Sequence, residues 1–430
     1  MNYTECLAYL YDNLPMYQRI GAAAYKENLD NTIALMEHLK HPEKKFKSIH
    51  IAGTNGKGSV AHNLASIYQE AGFKTGLYTS PHLVDFRERI RINGEKITKK
   101  FVSDFVKKNK PFLDEIRPSF FEMTVAMAFS YFAHQKVDIA IIEVGMGGRL
   151  DSTNVITPQL SIITNIGYDH TQFLGNTLKD IAREKAGIIK ENVPVVIGEI
   201  QPETAEVFIQ IAKEKNAPII FADEVLQTKK YKLMLKEDGF WLTFKVKTND
   251  NVSRKYVTPL AGDYQINNFK TIFTACDVIG KTTLSDNDIR NGIENCVANT
   301  DFMGRWQVLQ QRPLCIVDVA HNLSGMQYVA EQLVQIPHEN LYFVLGMVSD
   351  KDITQILSLL PKHATYFFCK PDIPRGLDAE ELLIKAEEFG LNGKVYSSVK
   401  RAYTAAKRTA RKNDLVFISG STFTVAEVMD

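Results

Sequence analysis

One segment of the chain combines residue types at a spacing that suits phosphate chemistry. Gly53-Thr54-Asn55-Gly56-Lys57-Gly58-Ser59 follows a β-branched apolar run and opens a helical pattern. Glycines let backbone amides approach an anion closely, amides at a helix N-terminus face it, and Lys57 adds a positive charge. The segment departs from GxxxxGK[ST], because Ile51 stands five residues before Gly56 and Gly58 takes the place of the hydroxyl residue after Lys57. A Gly-rich turn alone would be merely structural. With strand, lysine and helix all in place, it reads as a phosphate-binding loop.

In open α/β sheets, ligands sit outside the carboxyl ends of the strands, so residues just after the other strand-like runs are the next candidates. Ser80, in Thr79-Ser80-Pro81-His82, offers a hydroxyl to Mg²⁺, although by itself it reads as a turn residue or helix cap. Glu143 lies within IIEVGMGG, where an acid among apolar neighbours is costly unless paired or bound to a cation. A structural ion pair is the plainer alternative. His170, in Gly167-Tyr168-Asp169-His170, reads evenly as a metal ligand or as a packing residue. Oxygen ligands beside a phosphate loop suit Mg²⁺ with nucleotide rather than zinc.

Lys185, in IAREKAGIIK, reads as an exposed charge at a helix C-terminus, favourable with the helix dipole. Asp318-Val319-Ala320-His321-Asn322 closes another run. There Asp318 suits a ribose hydroxyl or a phosphate-bound water, His321 would assist, and Asn322 reads equally as a helix cap. Phe120-Phe121-Glu122 either starts a helix that buries its rings or stacks on a flat ligand, and burial is the better reading for any one Phe.

Such residues need a scaffold that brings strand ends together. Short apolar runs occur at 47–53, 74–80, 138–145, 160–167, 193–199 and 218–223, and again at 314–320, 342–347, 365–370, 394–398 and 415–420. They alternate with helical patterns, which implies parallel strands joined by βαβ crossovers. Most are apolar throughout, as strands covered on both faces are. Helices are predicted at about 3–13 and 29–39, joined by a Gly/Ala-containing connector, and at about 264–278 and 285–296. Residues 229–260 differ, and Asp238-Gly239 between alternating apolar runs predicts a hairpin. Residues 298–304 have no period and read as a linker. The expected fold class is α/β: an N-terminal P-loop-type parallel-sheet ATPase domain over 1–298 and a smaller Rossmann-like α/β domain over 299–430.

Composition narrows the function classes. The 430 residues include 51 Lys plus Arg and 50 Asp plus Glu, and the resulting +1 argues against bulk nucleic acid as a partner. The length exceeds what one core usually supports, which fits two domains. No window approaches the ~18 apolar residues of a membrane span. The N-terminus MNYTECLAYLYDNLP lacks the basic start and apolar stretch of a signal peptide. The five cysteines are widely spaced without CxxC, which predicts neither disulfides nor a zinc site, and a reduced cytoplasmic compartment.

Together the motifs resemble the folylpolyglutamate synthases and bifunctional dihydrofolate/folylpolyglutamate synthases, within the Mur ligase superfamily. The resemblance covers almost the whole chain and rests on IHIAGTNGKGS, YTSPHLVDFRERI, FFEMT, EVGMGGRLDSTN, DHTQFLG, IAREKAGIIK, GRWQ, DVAHN, GMVSDKDI, PRG and SGSTFTVAEVM, in that order. It implies an ATP-dependent ligase in which a pteroate or folate carboxylate is phosphorylated and the amine of L-glutamate attacks the acyl phosphate. Thr54, Asn55, Gly56, Lys57, Gly58 and Ser59 then form the triphosphate loop, with Asn268, Arg305 and Asp318 as further ATP contacts. Ser80 and Glu143 ligate one Mg²⁺ and His170 a second. Lys185 becomes a carbamylated lysine beside the metal, which replaces the helix-end reading, and K⁺ is allowed as a further ion. His321 lies beside the nucleotide contacts, so Lys57, Lys185, His170 and His321 form the catalytic set.

Phe120, Phe121, Glu122, Leu150, Asp151 and Ser152 resemble the dihydropteroate pocket of bifunctional members. Ser421 and Thr422 match a glutamate site loosely. Val319 and the ending SGSTFTVAEVM look more like bifunctional bacterial members than monofunctional ones, whereas Leu323 replaces a common Pro. The implied partners are ATP, L-glutamate, dihydropteroate and tetrahydrofolates, with a monomeric, cytoplasmic protein. A muramyl-peptide ligase is disfavoured, since a phosphate loop starting by residue 53 leaves no room for a further N-terminal sugar-binding domain. A P-loop NTPase binding module is disfavoured by the second βα unit.

Overall fold

A computed structural model describes residues 1–16, 28–225, 227–247, 253–280, 282–349 and 353–430. The Gly/Ala connector and residues 350–352 of GMVSDKDI lie outside these. The first eight strands are β1 (Lys47–Ala52), β2 (Thr75–Tyr78), β3 (Ile90–Ile92), β4 (Glu95–Lys96), β5 (Ile139–Glu143), β6 (Leu160–Ile163), β7 (Val195–Ile197) and β8 (Ile219–Phe221). They form one sheet in the order β4-β3-β2-β5-β1-β6-β7-β8, parallel from β2 to β8. β1 sits in the middle, between β5 and β6, so its phosphate loop leaves the sheet between their carboxyl ends. The antiparallel β3 and β4 at one edge differ from the all-parallel expectation. They are two or three residues long, too short for an apolar run to announce them.

The central strands are apolar because helices cover both faces. On one face Ile49, Ile51 and Ile141 pack against helices Lys57–Glu70 and Gln265–Ile279. On the other, Tyr78, Ala140 and Ile142 pack against helix Phe120–Gln135, which is itself covered by Tyr3–Asn13 and Lys99–Ile116. Fully burying one such Ile contributes roughly 1.5–3 kcal/mol.

β9 (Gln227–Lys236), β10 (Gly239–Lys247) and β11 (Ser253–Thr258) make a small antiparallel sheet. The hairpin expected around Asp238-Gly239 joins its first two strands, with Gly239 opposite Lys236. The helix expected over 285–296 is two helices, Asp286–Glu294 and Cys296–Thr300, separated at Asn295. The second runs on into the segment read as linker, which begins at residue 298. Its five residues are too few to show an apolar period, and part of its packing is polar: Asn299 Nδ2 donates to Ser66 Oγ at 3.1 Å and Glu70 Oε1 at 2.8 Å.

After residues 301–306 come β12 (Gln307–Gln311), β13 (Leu314–Val317), β14 (Leu341–Leu345), β15 (Thr365–Cys369), β16 (Gly393–Tyr396) and β17 (Leu415–Ser419). Their order is β12-β13-β17-β14-β15-β16, all parallel except the edge strand β12. Helices on both faces again account for the apolar strands. All five cysteines are buried and unpaired. No helix among the described residues is long and apolar enough to cross a membrane.

Candidate active site

The phosphate loop is shaped by two glycines that no other residue replaces without strain. Gly53 has φ +146°, and a Cβ there would sit 1.8 Å from Thr164 Oγ1. Gly56 has φ +84°, and a Cβ there would sit 2.2 Å from Asn268 Oδ1. Thr54 pins the loop to the end of β6: its Oγ1 donates to Gly167 O at 3.1 Å and accepts from Gly167 N at 2.9 Å. Ser59 Oγ accepts from Gln265 Nε2 at 3.1 Å, and Gln265 Oε1 accepts from Asn268 Nδ2 at 2.8 Å. Asn268 therefore supports the loop from beneath Gly56.

Two lysines meet at this loop. Lys57 Nζ donates to Gly53 O at 3.0 Å and Thr54 O at 3.1 Å. Lys185 Nζ donates to the same Gly53 O at 2.9 Å. Read as an exposed helix end, Lys185 is instead 4% exposed. It lies one turn after the buried Ile181 on helix Leu178–Ala186, so it shares the face that packs inward. Burial first, then the positive charge of Lys57, lowers its ammonium from the ordinary lysine range to about 7.

Glu143 ends β5 and is buried, which raises its carboxyl above the ordinary range, while Lys57 and the amide of Ser80 pull the other way. Its Oε2 accepts from Ser80 N at 2.9 Å. The Ser80 hydroxyl thus stands beside a buried carboxylate, a pairing of hard oxygens that suits Mg²⁺. Among the described residues no three His, Cys, Asp or Glu side chains converge on a point. A cation completed by nucleotide phosphates, rather than held in an all-protein cage, fits that donor set.

His170 opens the short helix Thr171–Leu174 at φ +53°, with Nε2 3.9 Å from Asp169 Oδ1. His321, from the second sheet, brings its Nε2 within 3.5 Å of Asp169 Oδ2, and its Nδ1 donates to Val319 O at 2.9 Å. Asn55 Nδ2 donates to Asn322 Oδ1 at 3.3 Å and Ser324 Oγ at 2.8 Å, and Asn322 Nδ2 returns a bond to Asn55 Oδ1 at 2.9 Å. Asn322 also caps its own helix by accepting from Gly325 N, so the cap reading holds alongside the contact. Asp318 is buried and accepts from Trp306 N at 2.9 Å, Ala320 N at 2.9 Å and Tyr264 OH at 2.8 Å. Burial raises its carboxyl, against Arg305 and these donors.

A cavity of about 280 Å³ joins the pieces. Its walls carry Thr54, Lys57, Ser80, His170, Lys185 and His321. Phe120, Phe121, Glu122, Leu150, Asp151 and Ser152 also line it, as do Ser421 and Thr422. Phe120 is buried with Arg89 over its ring at 5.3 Å, whereas Phe121 is half-buried at the wall. Glu122 closes a capping box with Ser119, accepting from Ser119 N at 2.6 Å. Asp151 folds its own loop, accepting from Gly145 N at 3.0 Å, Met146 N at 2.9 Å and Thr153 N at 2.9 Å. Ser421 caps helix Thr422–Met429. Glu143 and Arg305 line a smaller adjoining cavity, while Asn268, Ser59 and Asp318 stand behind the walls.

Sequence reasoning passed over Asp169, Arg89 and Arg375, which also line the large cavity. Asp169 carried a signal, being the acid directly before His170. Arg89 and Arg375 carried none beyond their place in longer motifs.

Two family models match the chain: the Mur ligase middle domain over residues 51–276 and the Mur ligase glutamate ligase domain over residues 304–422. A dihydrofolate synthase/folylpolyglutamate synthase of Bacillus subtilis is 34% identical over 424 residues, covering 94% of each chain. The chain belongs to the dihydrofolate synthase/folylpolyglutamate synthase family of Mur ligases. Like the rest of this family it is an ATP-dependent amide-forming ligase. Two solved members of the folylpolyglutamate synthase family agree in architecture. E. coli FolC in complex with DHPP and ADP has a TM-score of 0.85 at 30% identity, covering 100% of this chain and 97% of that one. A bifunctional folylpolyglutamate synthase/dihydrofolate synthase with Mn, AMPPNP and L-glutamate bound has a TM-score of 0.81 at 30% identity, with the same coverage.

Proposed function

We propose that this ligase attaches L-glutamate both to dihydropteroate and to reduced folates. The observation that carries the reading is that one cavity is lined by Phe121, Lys57, Lys185 and Ser421 together. Its lining offers an aromatic wall for a flat ring system, two lysines for a carboxylate beside the phosphate loop, and hydroxyls for an incoming amino acid. Val319 and the chain's ending, SGSTFTVAEVM, favour the bifunctional form over a monofunctional folylpolyglutamate synthase. Two units, 1–298 and 299–430, form the walls of the nucleotide cleft, and the protein acts as a cytoplasmic monomer.

The chemistry starts from an unreactive carboxylate, whose charge repels an amine and whose oxide leaves poorly. The carboxylate oxygen takes the γ-phosphoryl of ATP and ADP departs. The glutamate nitrogen then bonds the acyl carbon, phosphate leaves with the electron pair of the broken C–O bond, and the nitrogen loses a proton. Lys57 and the amides of Thr54 to Ser59 stabilise charge on the transferring phosphoryl. Asn268 supports that loop, Arg305 contacts the phosphates and Asp318 orients the ribose side. Ser80 and Glu143 would hold one Mg²⁺ and His170 with Lys185 a second, K⁺ being a further candidate. Bound Mg²⁺ would offset the phosphate charge.

Lys185 suits the second site as a carbamate. With its ammonium lowered to about 7, a large share is neutral amine near neutral pH. That amine adds to carbon dioxide, loses a proton and becomes an anion. His321 and Asp169 orient the approaching amine from the second unit. Phe121, Leu150 and Ser152 receive the pterin, with Phe120, Glu122 and Asp151 shaping that pocket, and Ser421 and Thr422 bound the glutamate end.

The test is a substrate panel of dihydropteroate against tetrahydrofolates with ATP and labelled glutamate, read by ADP release and product mass. A gain of one glutamate residue on both classes is expected. Gain on folates alone identifies the monofunctional enzyme, and nucleotide hydrolysis without amide removes the ligase reading.

A further inference from the structure

His50 is a titratable residue in the middle of the central strand β1, and no step of the ligase chemistry uses it. Ile49 and Ile51 pack on the face that carries helix Lys57–Glu70, so strand alternation turns His50 to the opposite face, beside Ile142. It is fully buried. Its Nε2 lies 2.8 Å from Thr153 Oγ1, in the turn Ser152–Val155, while its buried Nδ1 has no partner. Burial first, then the charge of Lys190, lowers its imidazole to about 3, so the ring is neutral and carries one N–H.

Thr153 decides which nitrogen holds that proton. Asp151 Oδ1 accepts from Thr153 N at 2.9 Å, and Oδ2 accepts from Gly145 N at 3.0 Å and Met146 N at 2.9 Å. Burial raises this carboxyl and the amides oppose that, and with both oxygens already receiving N–H groups it serves as an acceptor. Thr153 Oγ1 therefore gives its one proton to Asp151 Oδ1, and His50 must donate to Thr153 from Nε2. The chain of donors ends at the wall of the large cavity. Gly145 is pressed against Phe121, since a Cβ there would sit 2.4 Å from Phe121 Cζ. Phe121, Gly145, Met146, Asp151 and Ser152 all line that cavity. Lys190 Nζ donates to Asn154 O at 2.9 Å and holds the turn from its other side.

We propose that His50 is a positioning residue for the pterin end of the site: its Nε2–H holds the Thr153 hydroxyl on Asp151, and Asp151 sets the 145–152 wall against Phe121. The inference rests on the ligase reading and on the pterin pocket within it. Packing alone does not call for an imidazole at this position, because burying one with an unmet nitrogen costs more than burying a hydrocarbon of its size. A donor behind the hydroxyl fixes its rotation and polarises it, which strengthens the next bond in the chain.

The experiment measures KM values of full-chain variants for dihydropteroate, tetrahydrofolate, ATP and glutamate. Thr153→Val loses one hydroxyl at nearly constant shape, and His50→Leu loses the donor behind it. Each should raise the KM for the pterin substrates about tenfold, the scale of one buried hydrogen bond left unmade, and leave the KM for ATP within about twofold. The bonds act in series, so His50→Leu/Thr153→Val should be no worse than either single variant. His50→Gln, which carries an N–H at a reach similar to Nε2, should recover most of the loss, and it carries the test should His50→Leu fail to fold. A pterin KM equal to wild type in folded Thr153→Val, a KM for ATP that rises in step with it, or a His50→Gln protein no better than His50→Leu overturns the proposal. Glutamate-dependent ADP release by wild type separates the two readings: its absence removes the ligase reading, and its presence with an unmoved pterin KM in the variants removes only the role of His50.

Discussion

Lys57 and Lys185 direct their ammonium groups at one carbonyl oxygen, that of Gly53, at 3.0 and 2.9 Å. Burial first, and then the like charge of Lys57 on the same acceptor, lowers the Lys185 ammonium to about 7. Its unfolded value is near 10.5. Between those values the unfolded chain binds the extra proton, so the contribution of Lys185 to stability improves as pH rises from about 7 and is least favourable below it. Lys185→Met should therefore raise stability at pH 6 by on the order of 2 kcal/mol, read by denaturant unfolding. A destabilised variant at that pH would contradict the assignment.

The same residue should be required for turnover. Lys185→Ala should cripple catalysis yet regain part of it with added small carboxylates, which supply the anion a carbamate would provide. Wild-type turnover in that variant rejects the carbamate.

Lys57→Ala should lower kcat by at least about a thousandfold, since a positioned charge aimed at the transferring phosphoryl is removed where water is excluded. Near-normal catalysis would remove Lys57 from that role.

Gly56→Ala should raise the Kd for ATP at least about tenfold, because the new Cβ meets Asn268 Oδ1 and a positive φ costs a non-glycine residue roughly 1–2 kcal/mol. Shortening the neighbour in Gly56→Ala/Asn268→Ser should recover part of the loss by relieving the contact while leaving the backbone cost. Equal affinities in wild type and Gly56→Ala would show that the loop does not approach the nucleotide closely.

Burial raises the Glu143 carboxyl, so its ionised form costs stability above the ordinary carboxylate range and a bound cation offsets that cost. Glu143→Gln should raise the Tm of the metal-free protein, abolish most of the further Tm rise that Mn²⁺ with nucleotide gives wild type, and demand more than about ten times the Mg²⁺ for turnover. A metal-dependent Tm rise as large as in wild type would place the cation elsewhere.

The sequence by itself determined the strands, because a strand covered on both faces must be apolar along its length, and the runs at 47–53, 138–145 and 160–167 are. It determined the phosphate loop for a local reason too: the glycines, lysine and following helix are neighbours in the chain. It missed β3, β4 and β12, edge strands specified by a partner rather than by their own pattern. Lys185 shows the limit most sharply. Its sequence neighbourhood is that of a helix end, and only the packing of that helix against the phosphate loop, 132 residues earlier, buries it on Gly53. The contacts of Asn55 with Asn322, and the cavity that Phe121 and Ser421 both line, likewise join residues hundreds of positions apart, whose chemistry is readable from their types but whose meeting is decided by the fold.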